Sequence, residues 1–124
     1  MDARKTLAIA GLLIALATAL GAFGAHALKA YLSQDKLQVY ETAVRYHFIH
    51  AVGLLAIGVL LRSLDGELLR WSAALVLAGI VLFSGSLYCL TFGAPRIVGI
   101  VTPVGGIALI VGWILFGATV LRHS

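Results

Sequence analysis

The side chains that could do chemistry gather in one stretch of the chain. Between positions 26 and 50 stand His26, Lys29, Glu41, Arg45, Tyr46, His47 and His50. Ionisable groups are costly to place near hydrocarbon, so in an apolar chain they mark candidate functional positions. Three histidines raise metal or haem ligation, since helical bundles hold haem between histidines on facing helices. Acid, base and imidazole together raise passage of an ion or small solute. Helical geometry sorts the set. At about 100° per residue, Tyr40 and His47 share a direction and His50 lies about 60° away, with Tyr46 beyond it. Glu41 and Arg45 point to the opposite side, four apart with the acid first, the order that favours an ion pair. The helix thus presents two polar faces. A third metal ligand would have to come from His26 on another helix, without an acid or cysteine beside it, which is thin for zinc. No metal and no cofactor is expected.

The second motif is Thr102-Pro103-Val104-Gly105-Gly106. Proline suits the first helical position and threonine is a good cap before it. The spacing predicts a helix over 103–121, with a less regular stretch from 93 to 101, or else one long helix kinked at Pro103. A helix start at the interface can attract an anion, although structural punctuation is the simpler role. Ser84 and Ser86 flank Gly85 but lack the strand–turn–helix setting of a nucleophile elbow. Phosphate loops and dinucleotide glycine fingerprints are absent, so an enzyme is not expected.

The elements that must position these groups follow from composition. Of 124 residues, 61% are hydrophobic and only 11% charged, against roughly 25% charged in a soluble domain. Mean hydropathy is +1.05. A chain this small has a large surface for its volume, and so few charges cannot cover it in water. Disorder is excluded by the same scarcity of charge. Cys89 is the one cysteine, which rules out an internal disulfide. The nine basic residues are scattered, so nucleic acid is not an expected partner.

Crossing a bilayer takes about 20 apolar residues. Uncharged runs of 20, 24 and 25 residues occupy 6–25, 71–94 and 97–121. A fourth run, 46–61, has only 16 and must begin earlier to span, taking in Arg45. The expected fold is an all-α membrane protein, one domain of four transmembrane helices in an antiparallel bundle. Its spans are about 6–26, 42–61, 71–93 and 97–121. Residues 27–40 read as an amphipathic interfacial helix between the first two spans, with Ser33 capping its second part. A cleaved signal peptide is the competing reading of the start, but its apolar core would be about 7–15 residues. Short links at 62–70 and 93–96 predict antiparallel packing of the last three spans. Five bases on the side of the termini against four on the other favour cytoplasmic termini. Gly11, Ala15 and Ala19, and likewise Ala17, Gly21 and Ala25, form stripes of small residues that allow close helix approach, within the chain or in a homo-oligomer.

Gly21-Ala22-Phe23-Gly24-Ala25-His26-Ala27-Leu28, then Tyr46-x-x-x-His50 and Thr102-Pro103-x-Gly105-Gly106, closely resemble the YgdD-like family of small membrane proteins. This is the domain of unknown function 423, to which eukaryotic transmembrane protein 256 is similar. The resemblance covers nearly the whole chain. It implies a four-span bacterial inner-membrane protein that keeps its first helix, and it puts His26 and His50 on motif positions. His47 departs from the pattern, where glutamine would be expected. The family brings no activity with it. The expected function is non-enzymatic, interaction or assembly with lipids, further copies and other membrane proteins. The alternative is a small channel or transporter using the polar residues at the start of the second span, with haem or metal binding third.

Overall fold

The computed structural model describes residues 1–123. Four helical runs are long and apolar enough to cross a bilayer: Ala3–His26, Gln34–Leu61, Glu67–Thr91 and Arg96–Arg122. The protein is an all-α membrane protein, and the described residues contain no strand.

Helix α1 (Ala3–His26) opens on Asp2, whose carboxylate accepts from the Lys5 N–H at 2.8 Å. An aspartate in that place satisfies an otherwise orphaned donor and complements the helix dipole. The chain then makes a 3₁₀ turn over Leu28–Ala30 and enters α2 (Gln34–Leu61). Ser33 caps α2 as expected, accepting from the Lys36 N–H at 3.3 Å. The predicted separate interfacial helix over 27–40 is not formed. Residues 34–40 are the first turns of α2 itself, because no proline or glycine interrupts the chain before Gly53 and helix propagation is cooperative.

The third span is built from α3 (Glu67–Gly79), a π turn over Ile80–Ser84 and α4 (Gly85–Thr91). It stops at Gly93, whose φ of +99° is open to glycine without steric cost. The Ala94 N–H reaches the Cys89 carbonyl at 3.0 Å and the Gly93 N–H the Leu90 carbonyl at 3.4 Å, the pair of bonds that closes a Schellman end. Pro95 follows and prevents continuation.

The fourth span begins as a 3₁₀ turn, Arg96–Ile100, and becomes α5 (Val101–Arg122). The helix expected to start at Pro103 therefore starts two residues earlier, and Thr102 is no cap. Proline has no N–H to offer the Gly99 carbonyl four residues back, so regular α geometry gives way to the tighter turn just upstream. Pro103 itself falls within the first turn, where its missing donor costs nothing.

Helix α1 packs along α2, α2 also meets the third span, and α3 with the π turn packs on α5. Leu54, Ile57 and Leu61 of α2 meet Leu69, Ala73, Val76 and Ile80 of the third span, with Ala10 and Leu109 closing the cluster. Lipid tails are as apolar as leucine, so close packing and interhelical hydrogen bonds hold such a bundle together. Glycines set the approach. A Cβ on Gly105 would lie 2.3 Å from the Phe83 backbone nitrogen, so only glycine lets α5 touch the π turn backbone to backbone.

Candidate functional site

The conspicuous motif around Gly24 has a structural task. A Cβ on Gly24 would stand 2.5 Å from Cε2 of Tyr40, so this glycine makes the seat for a fully buried ring. The Tyr40 hydroxyl donates to the Leu20 carbonyl of α1. Leu28, at the end of the same motif, is buried. This arrangement clamps the far ends of α1 and α2 together.

Tyr40 and His47 do share a direction, as their spacing predicts, and both are buried. They meet Tyr88 of α4. His47 Nδ1 and the Tyr88 hydroxyl are hydrogen-bonded at 2.8 Å, and the Tyr40 and Tyr88 rings lie edge to face at 5.8 Å. His47 Nε2 is buried, with the Leu13 backbone of α1 beside the ring. Two serines reinforce this interior. Ser84 donates to the Ala43 carbonyl at 2.8 Å, and Ser72 donates to the Gly112 carbonyl at 2.7 Å. The Ser86 and Thr102 hydroxyls are bonded to each other at 2.6 Å, so Thr102 joins two spans. In lipid, such bonds act as interhelical glue.

His50 takes a different partner. Trp113 of α5 donates its indole N–H to His50 Nδ1 at 3.0 Å. The His50 ring stacks on Tyr46 at 5.9 Å, and Tyr46 lies 4.7 Å from Phe83. These four side chains line an apolar groove of about 640 Å³ between α2, the π turn and α5. Gly105 and Gly106 stand beside Phe83, which places the second motif on the same feature.

Lys29, Glu41 and Arg45 line a separate groove of about 280 Å³ between the end of α1 and the start of α2. All three are exposed. Glu41 and Arg45 make no ion pair with each other. The ion pair found among the described residues is Asp65–Arg70, at 2.7 Å in the opposite loop. Water and side-chain entropy offset what two exposed charges gain by meeting; the Asp65–Arg70 pair, exposed as well, is held by two parallel hydrogen bonds. His26 is exposed in the last turn of α1 and lines neither groove.

The seven polar residues of the 26–50 stretch are therefore not one site. Six of them divide into an exposed polar groove, a buried His47–Tyr88 contact and an aromatic groove around His50, and His26 stands apart from all three. No group of three metal-ligating side chains exists among the described residues. Lys36, Tyr88 and Trp113 escaped sequence reasoning. The Lys36 ammonium donates to the Leu90 carbonyl at 2.7 Å, placing positive charge at the end of α4. Each of the three is paired with a residue more than 40 positions away, and no local spacing announces that.

Comparison with known proteins agrees with this architecture. The family described as "Protein of unknown function (DUF423)" matches residues 20–106. UPF0382 membrane protein YwdK of Bacillus subtilis is 43% identical over 109 residues, covering 87% of this chain and 89% of the relative. A UPF0382 membrane protein of Staphylococcus saprophyticus is 45% identical over 112 residues, covering 90% and 92%. UPF0382 inner membrane protein YgdD of Escherichia coli K12 is 35% identical over 126 residues, covering 100% and 96%. No solved structure matches. A four-span helical membrane chain with these relatives and these motif positions belongs to the DUF423 family.

Proposed function

We propose that this protein is a non-enzymatic component of the bacterial inner membrane that works by association, with further copies of itself and with other membrane proteins. The observation that carries this reading is the one-sided packing of α1. Its buried residues are Thr6, Ala10, Ala17 and Gly24, which face the bundle. Gly11, Ala15 and Ala19 are exposed on the outer side, and a Cβ on Gly11 would meet nothing within 4 Å. A helix of this kind can approach a second helix closely. The inward polar groups are meanwhile engaged in joining the spans of one chain, which speaks for a stable scaffold rather than a reaction centre. The inner-membrane location with both termini in the cytoplasm accords with the relative named an inner membrane protein and with the basic residues at the termini.

Cysteine cross-linking in native membranes tests it. In a Cys89→Ser background, Ala15→Cys should form a disulfide-linked dimer under mild oxidation, whereas Leu16→Cys, exposed but about 100° round the helix, should not. Equal trapping at both positions, or none at either, would sink the reading.

A channel or transporter is the second reading, and the groove holding Lys29, Glu41 and Arg45 is what favours it. His47 and His50 are drawn into separate contacts, which weakens the case for a continuous polar path. Proton or small-ion flux through proteoliposomes above empty vesicles would reverse the order of the two readings.

A further inference from the structure

We propose that the groove around His50 is a binding site for a planar carbonyl compound dissolved in the bilayer, of the quinone class. This inference is independent of the association reading above. It rests on three observations.

The first is a directed donor. Tryptophan can only donate, so the Trp113–His50 bond at 3.0 Å means that His50 Nδ1 carries a lone pair and no proton. The imidazole is therefore neutral, with its proton on Nε2. That N–H has no protein partner, and unlike Nε2 of His47 it is not sealed off. His50 lines the groove beside Tyr46, so the lining holds two groups able to donate, this N–H and the Tyr46 hydroxyl.

The second is depth. His50 lies twelve residues from Arg62 and Trp113 nine from Arg122, about 18 and 14 Å along their helices. The hydrocarbon core is about 30 Å thick. The donor therefore sits near the bilayer midplane, far from the ester carbonyls of phospholipids at the interface. Water is absent there as well, and an unmet N–H in hydrocarbon is costly. An acceptor at this depth has to be brought by a molecule that enters the hydrocarbon whole.

The third is shape. Tyr46, Phe83 and Trp113 form aromatic walls around His50, and Gly106 and Ile110 are part of the remaining lining. At about 640 Å³ the groove is within the range of small-molecule sites. Aromatic walls favour a flat ring that can stack offset or edge-on. A flat ring with a carbonyl at its edge satisfies walls and donor together. A saturated acyl chain satisfies neither the donor nor the stacking.

The protein carries its own reporter. It has two tryptophans, Trp71 and Trp113. In a Trp71→Phe background in nanodiscs, a short-tailed benzoquinone should quench Trp113 fluorescence saturably, because quinones quench excited indoles on contact. An alkylbenzene with the same tail but no carbonyl should compete about tenfold more weakly, the factor expected from one hydrogen bond. A long-chain methyl ester tests the lipid source of a carbonyl and should also compete at least tenfold more weakly. Gly106→Leu should abolish saturation by filling the groove, since a Cβ there meets only the Phe83 ring, at 3.7 Å. Ile110→Phe is the second variant should Gly106→Leu not fold. Quenching that rises linearly and ignores both variants would mean collision only and overturn the site. Equal competition by the alkylbenzene or by the ester would overturn the assigned ligand class.

Discussion

Gly105→Ala is the sharpest probe of how the bundle is held. The new methyl carbon would lie 2.3 Å from the Phe83 nitrogen and 2.8 Å from both the Leu82 carbonyl carbon and Phe83 Cα. All three are backbone atoms, so no rotamer change relieves the clash. Reaching 3.4 Å, the near edge of ordinary contact, requires α5 and the π turn to part by about 1.1 Å. A gap of 0.5–1 Å already forfeits roughly a quarter to a half of each dispersion contact, and dispersion is the main attraction between helices in lipid. The Ser86–Thr102 bond, now 2.6 Å, spans the same junction and would stretch with it. Overpacking costs about 1–3 kcal/mol; with an added stretched bond, about 2–3 kcal/mol is expected, or roughly 30- to 150-fold in the folding equilibrium. Reversible SDS unfolding in mixed micelles, followed by fluorescence, measures it. Gly106→Ala is the internal control, because its Cβ meets only the Phe83 ring at 3.7 and 3.9 Å, and it should change stability by less than about 0.5 kcal/mol. Equal stabilities for the two neighbours would refute the backbone-contact account.

Three further outcomes are expected. Ser84→Ala and Ser72→Ala each remove one interhelical hydrogen bond and should cost about 0.6 kcal/mol apiece in the same assay, not beyond about 1.7. Glu41→Gln and Arg45→Met should show additive, near-zero effects, because the two exposed groups make no pair; a coupling above about 1 kcal/mol in the double-mutant cycle would mean that they meet in lipid. Arg70 donates to both Asp65 oxygens, at 2.8 and 2.7 Å, and that hydrogen bonding holds the Asp65 carboxyl below its ordinary value. A depressed folded-state pKa makes the contribution present above the unfolded value and lost as pH falls through the folded one. Asp65→Asn should therefore flatten the acid limb of the stability profile, and added salt should do the same to the parent protein. An unchanged acid limb would show that the pair contributes nothing.

Much of the fold was legible because a bilayer imposes simple rules. Charge-free runs longer than a bilayer crossing have one solution, and the Ser33 cap is local chemistry that sequence displays directly. The start of α2 is not legible as such, because a polar, amphipathic pattern looks alike whether a helix lies on the membrane or leads into it. The role of Thr102 is hidden because threonine before proline fits a cap, while its hydroxyl bond to Ser86 depends on a helix sixteen residues upstream.

For the candidate site, the chain by itself determined which side chains were costly in lipid and which helix face each one occupied. That His47 and His50 point away from Glu41 and Arg45 follows from 100° per residue alone. Only the tertiary structure decided their partners. His47 meets Tyr88 across 41 positions and His50 meets Trp113 across 63, and those pairings depend on how closely four helices can pack. Gly24 and Gly105 set that closeness, by leaving room for a tyrosine ring and for a neighbouring backbone. Local geometry aims a side chain; the partner it meets is set by interhelical distances that no local pattern encodes.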